Sequence, residues 1–122
     1  MVIQFTPHLI PVNRGILSTI YLAPHKHFGS AAEMSSLGDQ IGACYSTAYG
    51  HEPFVRLLEG KALPDTKNVN GTNVIEIAWR LDLRTGRLIV MSAEDNIVKG
   101  ASGQAVQCLN ILCGFDETAG LI

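Results

Sequence analysis

The sequence predicts an α+β fold, a mixed or antiparallel sheet with a helix on one face. Three stretches predict it. In residues 74–83, Ile75, Ile77, Trp79, Leu81 and Leu83 alternate with Glu76, Ala78, Arg80 and Asp82, the period of two that a strand with one wet face shows. Ser30-Ala31-Ala32-Glu33 is a capping box, and Met34, Leu37, Ile41, Tyr45 and Tyr49 follow it at helical spacing. Residues 92–107 leave a strand, cross a polar corner and a Gly-Ala-Ser-Gly turn, and enter a second helix that reaches about residue 115.

Taken in order, the chain begins with a stiff arm. Pro7 and Pro11 each bias the preceding residue away from helix, so residues 5–14 read as extended. His8 and Arg14 on that arm are either ligand groups or a structural His and a solvated Arg; chemistry alone leaves both open. Gly15 then opens an alternating strand over residues 16–22. His25 and His27 would share one side of an extended backbone, but no third metal ligand stands at a telling distance, so this segment reads as a loop.

A helix is predicted over residues 30–49, with Gly38 and Gly42 allowing close approach to the sheet. Cys44, far from the helix N-terminus among Ala, Tyr and Ile, reads as a small core residue rather than a nucleophile. Glu52-Pro53 ends this region, residues 54–58 form a short strand, and residues 61–73 form a polar segment too long for an idle turn. Lys67 is its candidate cation, with a solvated loop as the competing reading. Arg84-Thr85-Gly86-Arg87 connects the alternating strand to a partner over residues 88–92.

The last helix is unusual. Only Gln104, Gln107 and Asn110 are polar among Ala105, Val106, Cys108, Leu109, Ile111, Leu112, Cys113 and Phe115, and a helix apolar nearly all round is one covered on both sides. At its approach, Asn96 carries an amide that can both donate and accept, though an Asn beside Asp95 is first of all a turn or cap residue. Gly100, Ala101 and Gly103 allow the backbone near a ligand or another domain, yet they lack Walker spacing. Cys108 and Cys113 lie roughly 140° apart around a helix and cannot share a metal.

Composition narrows the class. The chain has 122 residues, 47% hydrophobic and 16% charged, which suits one domain and suggests surface meant for a partner. A net charge of −2 without a Lys/Arg cluster gives no footprint for nucleic acid. No apolar run approaches the ~20 residues that span a bilayer, and the N-terminus has no signal-peptide pattern. Three cysteines without framework spacing point to a reducing, cytoplasmic setting.

Several segments also resemble a known family. Asp95-Asn96-Ile97-Val98-Lys99-Gly100-Ala101-Ser102-Gly103-Gln104-Ala105-Val106-Gln107-Cys108-Leu109-Asn110, with Gly114-Phe115-Asp116-Glu117-Thr118 behind it, resembles the C-terminal segment of the N-acetyl-gamma-glutamyl-phosphate reductases of the arginine pathway. Residues 5–17, residues 52–60 and Thr66-Lys67-Asn68-Val69-Asn70-Gly71-Thr72-Asn73 resemble it in the same order, so the likeness covers nearly the whole chain. It implies a fold like the C-terminal domain of the glyceraldehyde-3-phosphate/semialdehyde dehydrogenase group. It also implies NADPH-dependent reduction of N-acetyl-glutamyl 5-phosphate to the semialdehyde through a Cys thioester, with a His as acid/base.

By the same resemblance, Asn96 and Gly100 would meet the NADP cofactor, and His8, Arg14 and Lys67 would meet substrate. The chain departs from the family at the decisive point. It has no Gly-x-Gly-x-x-Gly after a strand, its cysteines lie outside the nucleophile's context, and the His motif would lie upstream. The expectation is a single C-terminal domain over residues 1–122, carrying the substrate and oligomerisation half of the site, with no catalytic residue and no metal. Residues 101–115 would pack on an absent N-terminal nucleotide-binding domain that holds most of the NADP. The expected partners are the acyl phosphate, that domain and further copies in a homo-oligomer, with no nucleic acid or membrane. Two rivals remain: an aspartate-semialdehyde-dehydrogenase-like reductase domain, and a non-enzymatic oligomerisation domain of the same fold.

Overall fold

The structure, a computed structural model, describes residues 3–24 and 30–122; His25, Lys26 and His27 lie outside them. The elements follow as β1 (Ile16–Leu22), α1 (Ala31–Tyr49), β2 (Val55–Leu57), α2 (Thr66–Val69), β3 (Ile75–Asp82), β4 (Arg87–Glu94), a π-helical turn (Val98–Ser102) and α3 (Gly103–Cys113). Among the described residues the strands form one mixed sheet in the order β1-β4-β3-β2. β4 runs antiparallel to both neighbours, and β2 runs parallel to β3.

Local chemistry explains most boundaries. Ser30 accepts from the Glu33 N–H at 3.2 Å and the Glu33 carboxylate accepts from the Ser30 N–H at 3.2 Å, so the capping box is complete. The β3–β4 connection closes on Asp82, whose carboxylate accepts from the Arg84 N–H and the Thr85 hydroxyl, and Gly86 supplies the positive φ of 64°. α3 ends on Gly114 at φ 71°, with its N–H turned back to the last carbonyls.

The two faces of the sheet are covered by different means. Tyr45 of α1 stacks on Trp79 of β3 with centroids 4.5 Å apart, and Gly42 and Gly38 lie over Trp79 and Leu81. A Cβ on either glycine would make only ordinary contacts of 3.5–3.6 Å, so the approach does not demand glycine there. The opposite face, read as wet over Glu76 and Ala78, is not. Both are buried, because the connection from β2 to β3 folds across them and Glu76 takes the Asp65 N–H at 3.1 Å and Arg56 Nη1 at 2.9 Å. α2 forms within that connection, capped by Asp65 on the Lys67 N–H. Cys44, expected in the core, is exposed: Gly38, Gly42 and Tyr45 mark the face of α1 that meets the sheet, and Cys44 lies roughly 100° around the helix from Tyr45.

At the far edge, β1 is apolar and open on both faces: Leu17 and Tyr21 are 61% and 62% exposed, Ile16 and Ile20 43% and 49%. α3 is packed with its polar stripe inward. Gln107 and Asn110 are buried while Leu109, Leu112 and Phe115 are exposed. The helix starts two residues later than the sequence suggests, because the π-helical turn occupies residues 98–102. No helix among the described residues is long and apolar enough to cross a membrane.

Gly103 is where α3 comes nearest to the rest of the fold. A Cβ there would overlap the Asn73 side-chain oxygen and stand 2.7 Å from Val98 Cγ1 and 2.8 Å from the Val98 carbonyl oxygen. Gly103→Ala is therefore expected to destabilise the chain by about 1–3 kcal/mol, the usual range for overpacking. Urea unfolding checks this, with Gly42→Ala as the tolerated comparison; equal midpoints would remove the argument.

Candidate functional site

The sheet ladder between β1 and β4 ends at Ile16 opposite Glu94. Beyond it, side chains continue the pairing. Gly15 N–H donates to Asn96 Oδ1 at 2.7 Å, and Arg14 Nη1 donates to Asp95 Oδ2 at 3.1 Å. Gly15 has φ 117°, a backbone that glycine reaches freely, and its Cα faces Thr66 closely enough that a Cβ would stand 2.8 Å from that side chain.

Asp95 is the centre of this end of the molecule. It is fully buried, and its Oδ2 also accepts from Gly71 N–H at 2.6 Å. Its Oδ1 accepts from Ile97 N–H at 2.8 Å and Val98 N–H at 3.0 Å, which starts the π-helical turn. Burial alone would push this carboxyl up; the N–H groups of Gly71, Val98 and Ile97 and the Arg14 guanidinium outweigh it and hold the group below the ordinary carboxylate range. Sequence reasoning assigns no role to Asp95 and does not single out Gly71. An Asp-Asn pair closing a strand was the available signal, but nothing in the sequence tells which distant N–H groups converge on it.

The residues predicted to bind ligands stand as follows. Arg14 and Asn96 are brought together by the two rungs. Arg14 is half-buried with Nη1 on Asp95, and among the described residues its other guanidinium N–H groups have no partner. Asn96 is exposed; its Oδ1 is engaged by Gly15, which leaves Nδ2 as the unengaged group. Gly100 is exposed in the π-helical turn, where a Cβ would meet Asp95 O at 3.5 Å and Glu94 Oε1 at 3.6 Å, both ordinary contacts. Lys67 is exposed on α2, and its ammonium has no partner among the described residues. His8 is exposed on the arm, and among the described residues no hydrogen bond or ion pair ties it to the other four.

A second polar cluster underlies the turn. Gln107 Oε1 accepts from Asn73 Nδ2 at 2.9 Å and from Lys99 Nζ at 2.8 Å, and Gln107 Nε2 donates to Glu117 Oε1 at 2.6 Å. Lys99 Nζ also lies 5.7 Å from the centroid of the Phe54 ring. Burial lowers the Lys99 pKa, against the pull of Glu94 and Glu117. Asn110 Nδ2 holds the Glu117 and Ala119 carbonyls, folding the C-terminal residues back onto α3.

Comparison with known proteins bears on this arrangement. The family model described as semialdehyde dehydrogenase, dimerisation domain, matches residues 1–96. The chain belongs to the semialdehyde dehydrogenase dimerisation-domain family. Individual relatives resemble it beyond that match. A protein of Akkermansia muciniphila named N-acetyl-gamma-glutamyl-phosphate reductase is 54% identical over 121 residues, which is 99% of this chain and 33% of the relative. One of Pelobacter propionicus with the same name is 53% identical over 98% of this chain, and one of Nostoc, named N-acetyl-gamma-glutamyl-phosphate reductase 1, is 44% identical over 98%. The chain spans about a third of the length of these relatives. The dimerisation-domain match stops at Asn96, so the π-helical turn and α3 lie beyond it.

The depressed Asp95 pKa has a stability consequence. Because the folded value lies below the unfolded value of about 3.9, the stabilisation is complete above that value and is lost as pH falls through the folded pKa. Asp95→Asn lacks this component. The gap in urea midpoint between wild type and Asp95→Asn is therefore expected to be constant above pH 5 and to shrink below pH 4. A gap independent of pH would show that the carboxylate charge contributes nothing.

Proposed function

We propose that this chain is the substrate- and subunit-facing third of an NADP-dependent reductase that converts N-acetyl-γ-glutamyl phosphate to the semialdehyde through a Cys thioester. The observation that carries this reading is identity of 54% and 53%, over 99% and 98% of the chain, to proteins of that name. The nucleotide fold, the nucleophilic Cys and the His belong, in this reading, to the remaining length of such a protein.

The residues at the β1–β4 end suit the work left to them. Nicotinamide supplies the hydride when NADP is bound. Asn96 Nδ2, its Oδ1 held by Gly15, donates to the nicotinamide carboxamide oxygen. Arg14, fixed through Nη1, offers its remaining N–H groups to a carboxylate or phosphate oxygen of the substrate. Lys67 supplies a second cation from α2, and His8 on the arm contributes a further polar contact to the substrate. Gly100 admits the cofactor, since the chain's own packing does not require glycine at that position.

Two apolar surfaces suit two partners. The open faces of β1, with Leu17, Ile20 and Tyr21, meet a second copy, in keeping with the family's dimerisation description. The outward face of α3, with Leu109, Leu112 and Phe115, packs on the nucleotide-binding part of the reductase. Three free thiols accord with a cytoplasmic setting.

The full product of the gene that encodes this chain is expected to oxidise NADPH in the presence of the acyl phosphate and to release phosphate. Absence of turnover with that substrate, in a folded protein of the relatives' length, removes the reading. In the same protein, Gly100→Ala is expected to leave the unfolding midpoint unchanged and to raise the KM for NADPH by about 3-fold to 10-fold, the cost of roughly one tight contact. An unchanged KM takes Gly100 out of the cofactor site.

A further inference from the structure

We propose that Asp95 is a positioning residue: its carboxylate holds the anion-binding Arg14 and the cofactor-facing Asn96 in register, coupling one substrate's site to the other's. The inference rests on the reductase reading for its enzymatic consequence, and on the hydrogen-bond geometry for its structural one.

Asp95 cannot act by touching a ligand, because none of it is exposed. It acts through what it binds. Three chain segments reach it: the arm through Arg14 Nη1, the β2–β3 connection through Gly71 N–H, and the π-helical turn through Ile97 and Val98 N–H. The two oxygens divide these duties. Oδ2 serves the arm and the connection, and Oδ1 serves the turn that leads to Gly100. Asn96 is the next residue, and its own Oδ1 holds Gly15, the residue after Arg14. The pairs 14–95 and 15–96 thus form a closed loop of contacts in which neither ligand-facing group moves without the other.

Asp95→Asn separates the two duties. The amide keeps one oxygen, which continues to cap Ile97 and Val98. Its NH2 faces Gly71 N–H and the Arg14 guanidinium, which are donors and gain no acceptor from it. In the full-length reductase, Asp95→Asn is expected to raise the KM for the acyl phosphate about tenfold or more, the weight of a charge-assisted bond, and, through Asn96, the KM for NADPH by about threefold. In an Arg14→Ala background, the same change is expected to add less than about twofold, because the two residues act as a unit. A raised KM for the acyl phosphate with an unchanged KM for NADPH, or full additivity on Arg14→Ala, overturns the proposal.

Amide hydrogen exchange tests the geometry apart from activity. In Asp95→Asn, exchange at Gly71 and Gly15 N–H is expected to quicken about tenfold relative to wild type, with Ile97 and Val98 N–H still protected. Unchanged exchange at Gly71 overturns the positioning role whatever the enzyme does. Turnover that is absent in wild type, with the exchange pattern as expected, instead removes the reductase reading and leaves the coupling in place. Should Asp95→Asn not fold, Arg14→Gln keeps all three N–H contacts of Asp95 and reports the same linkage at Gly15. There too, unchanged exchange counts against the proposal.

Discussion

The constraint on which this fold depends is the satisfaction of one buried carboxylate. A charge removed from water costs several kcal/mol unless strong partners replace the solvent. Asp95 has four, three of them backbone N–H groups that would otherwise be orphaned at the ends of their own segments. The arrangement substitutes for apolar packing where there is little to be had. Among the described residues the buried hydrophobic ones are Met34, Phe54, Val69, Ala78, Val90 and Ala93, and two of those six are alanines. Against them stand Asn73, Glu76, Asp95, Gln107 and Asn110, nearly as many buried polar side chains. Glu76 repeats the logic of Asp95 at the other edge, tying Arg56 of β2 to the Asp65 N–H ahead of α2. Sheet and connections are therefore held by specific polar contacts, which fix one arrangement of loops where apolar contact would tolerate several.

α3 applies the same principle with its faces reversed. Gln107 is locked by two donors and one acceptor, and Asn110 grips two carbonyls of the returning chain, so the inner face is specified by hydrogen bonds. The network is not complete: Asn73 Oδ1 is buried with no partner among the described residues, pressed toward the Cα of Gly103. An unmet buried acceptor costs about 1–3 kcal/mol. The outer face is left largely open, with Leu112 84% exposed and Phe115, just past the helix end, 63%. In the reductase reading proposed above, that broad apolar surface is the one a further part of the protein covers.

Much of the fold was legible because its signals are local. The capping box fixed the start of α1 to the residue, alternation located β1 and β3, and Gly86 marked the turn before β4. What was not legible depended on segments distant in sequence. Glu76 reads as wet in an alternating strand, since the pattern cannot show that the β2–β3 connection folds back over it. Cys44 reads as core because neighbours of its type are commonly buried, whereas it lies off the helix face that Gly42 and Tyr45 turn to the sheet. In the candidate site, Arg14 and Asn96 were identifiable singly. Their adjacency was not, because a contact across 81 positions leaves no trace in spacing.

The pairing of Arg14 with Asp95 also decides what kind of recognition this end of the molecule offers. A guanidinium bonded to a carboxylate is nearly neutral at a distance, so Arg14 contributes little long-range attraction; what it retains is a planar set of N–H donors held in one orientation. Attraction at range must come from an uncompensated charge, and Lys67 on α2 is one, its ammonium exposed and without a partner among the described residues. Being exposed, it is screened within about 8 Å at physiological ionic strength, so it draws an anion only over the last few ångströms. In the proposed reductase the two cations therefore divide the task. Lys67 gathers the acyl phosphate, with an effect that salt weakens, and Arg14 orients it, with an effect that persists in salt because it resides in geometry. A net charge of −2 over the chain, otherwise adverse to an anionic substrate, is tolerable on this arrangement because Asp95, nearest to Arg14, faces inward and is already neutralised by its partners.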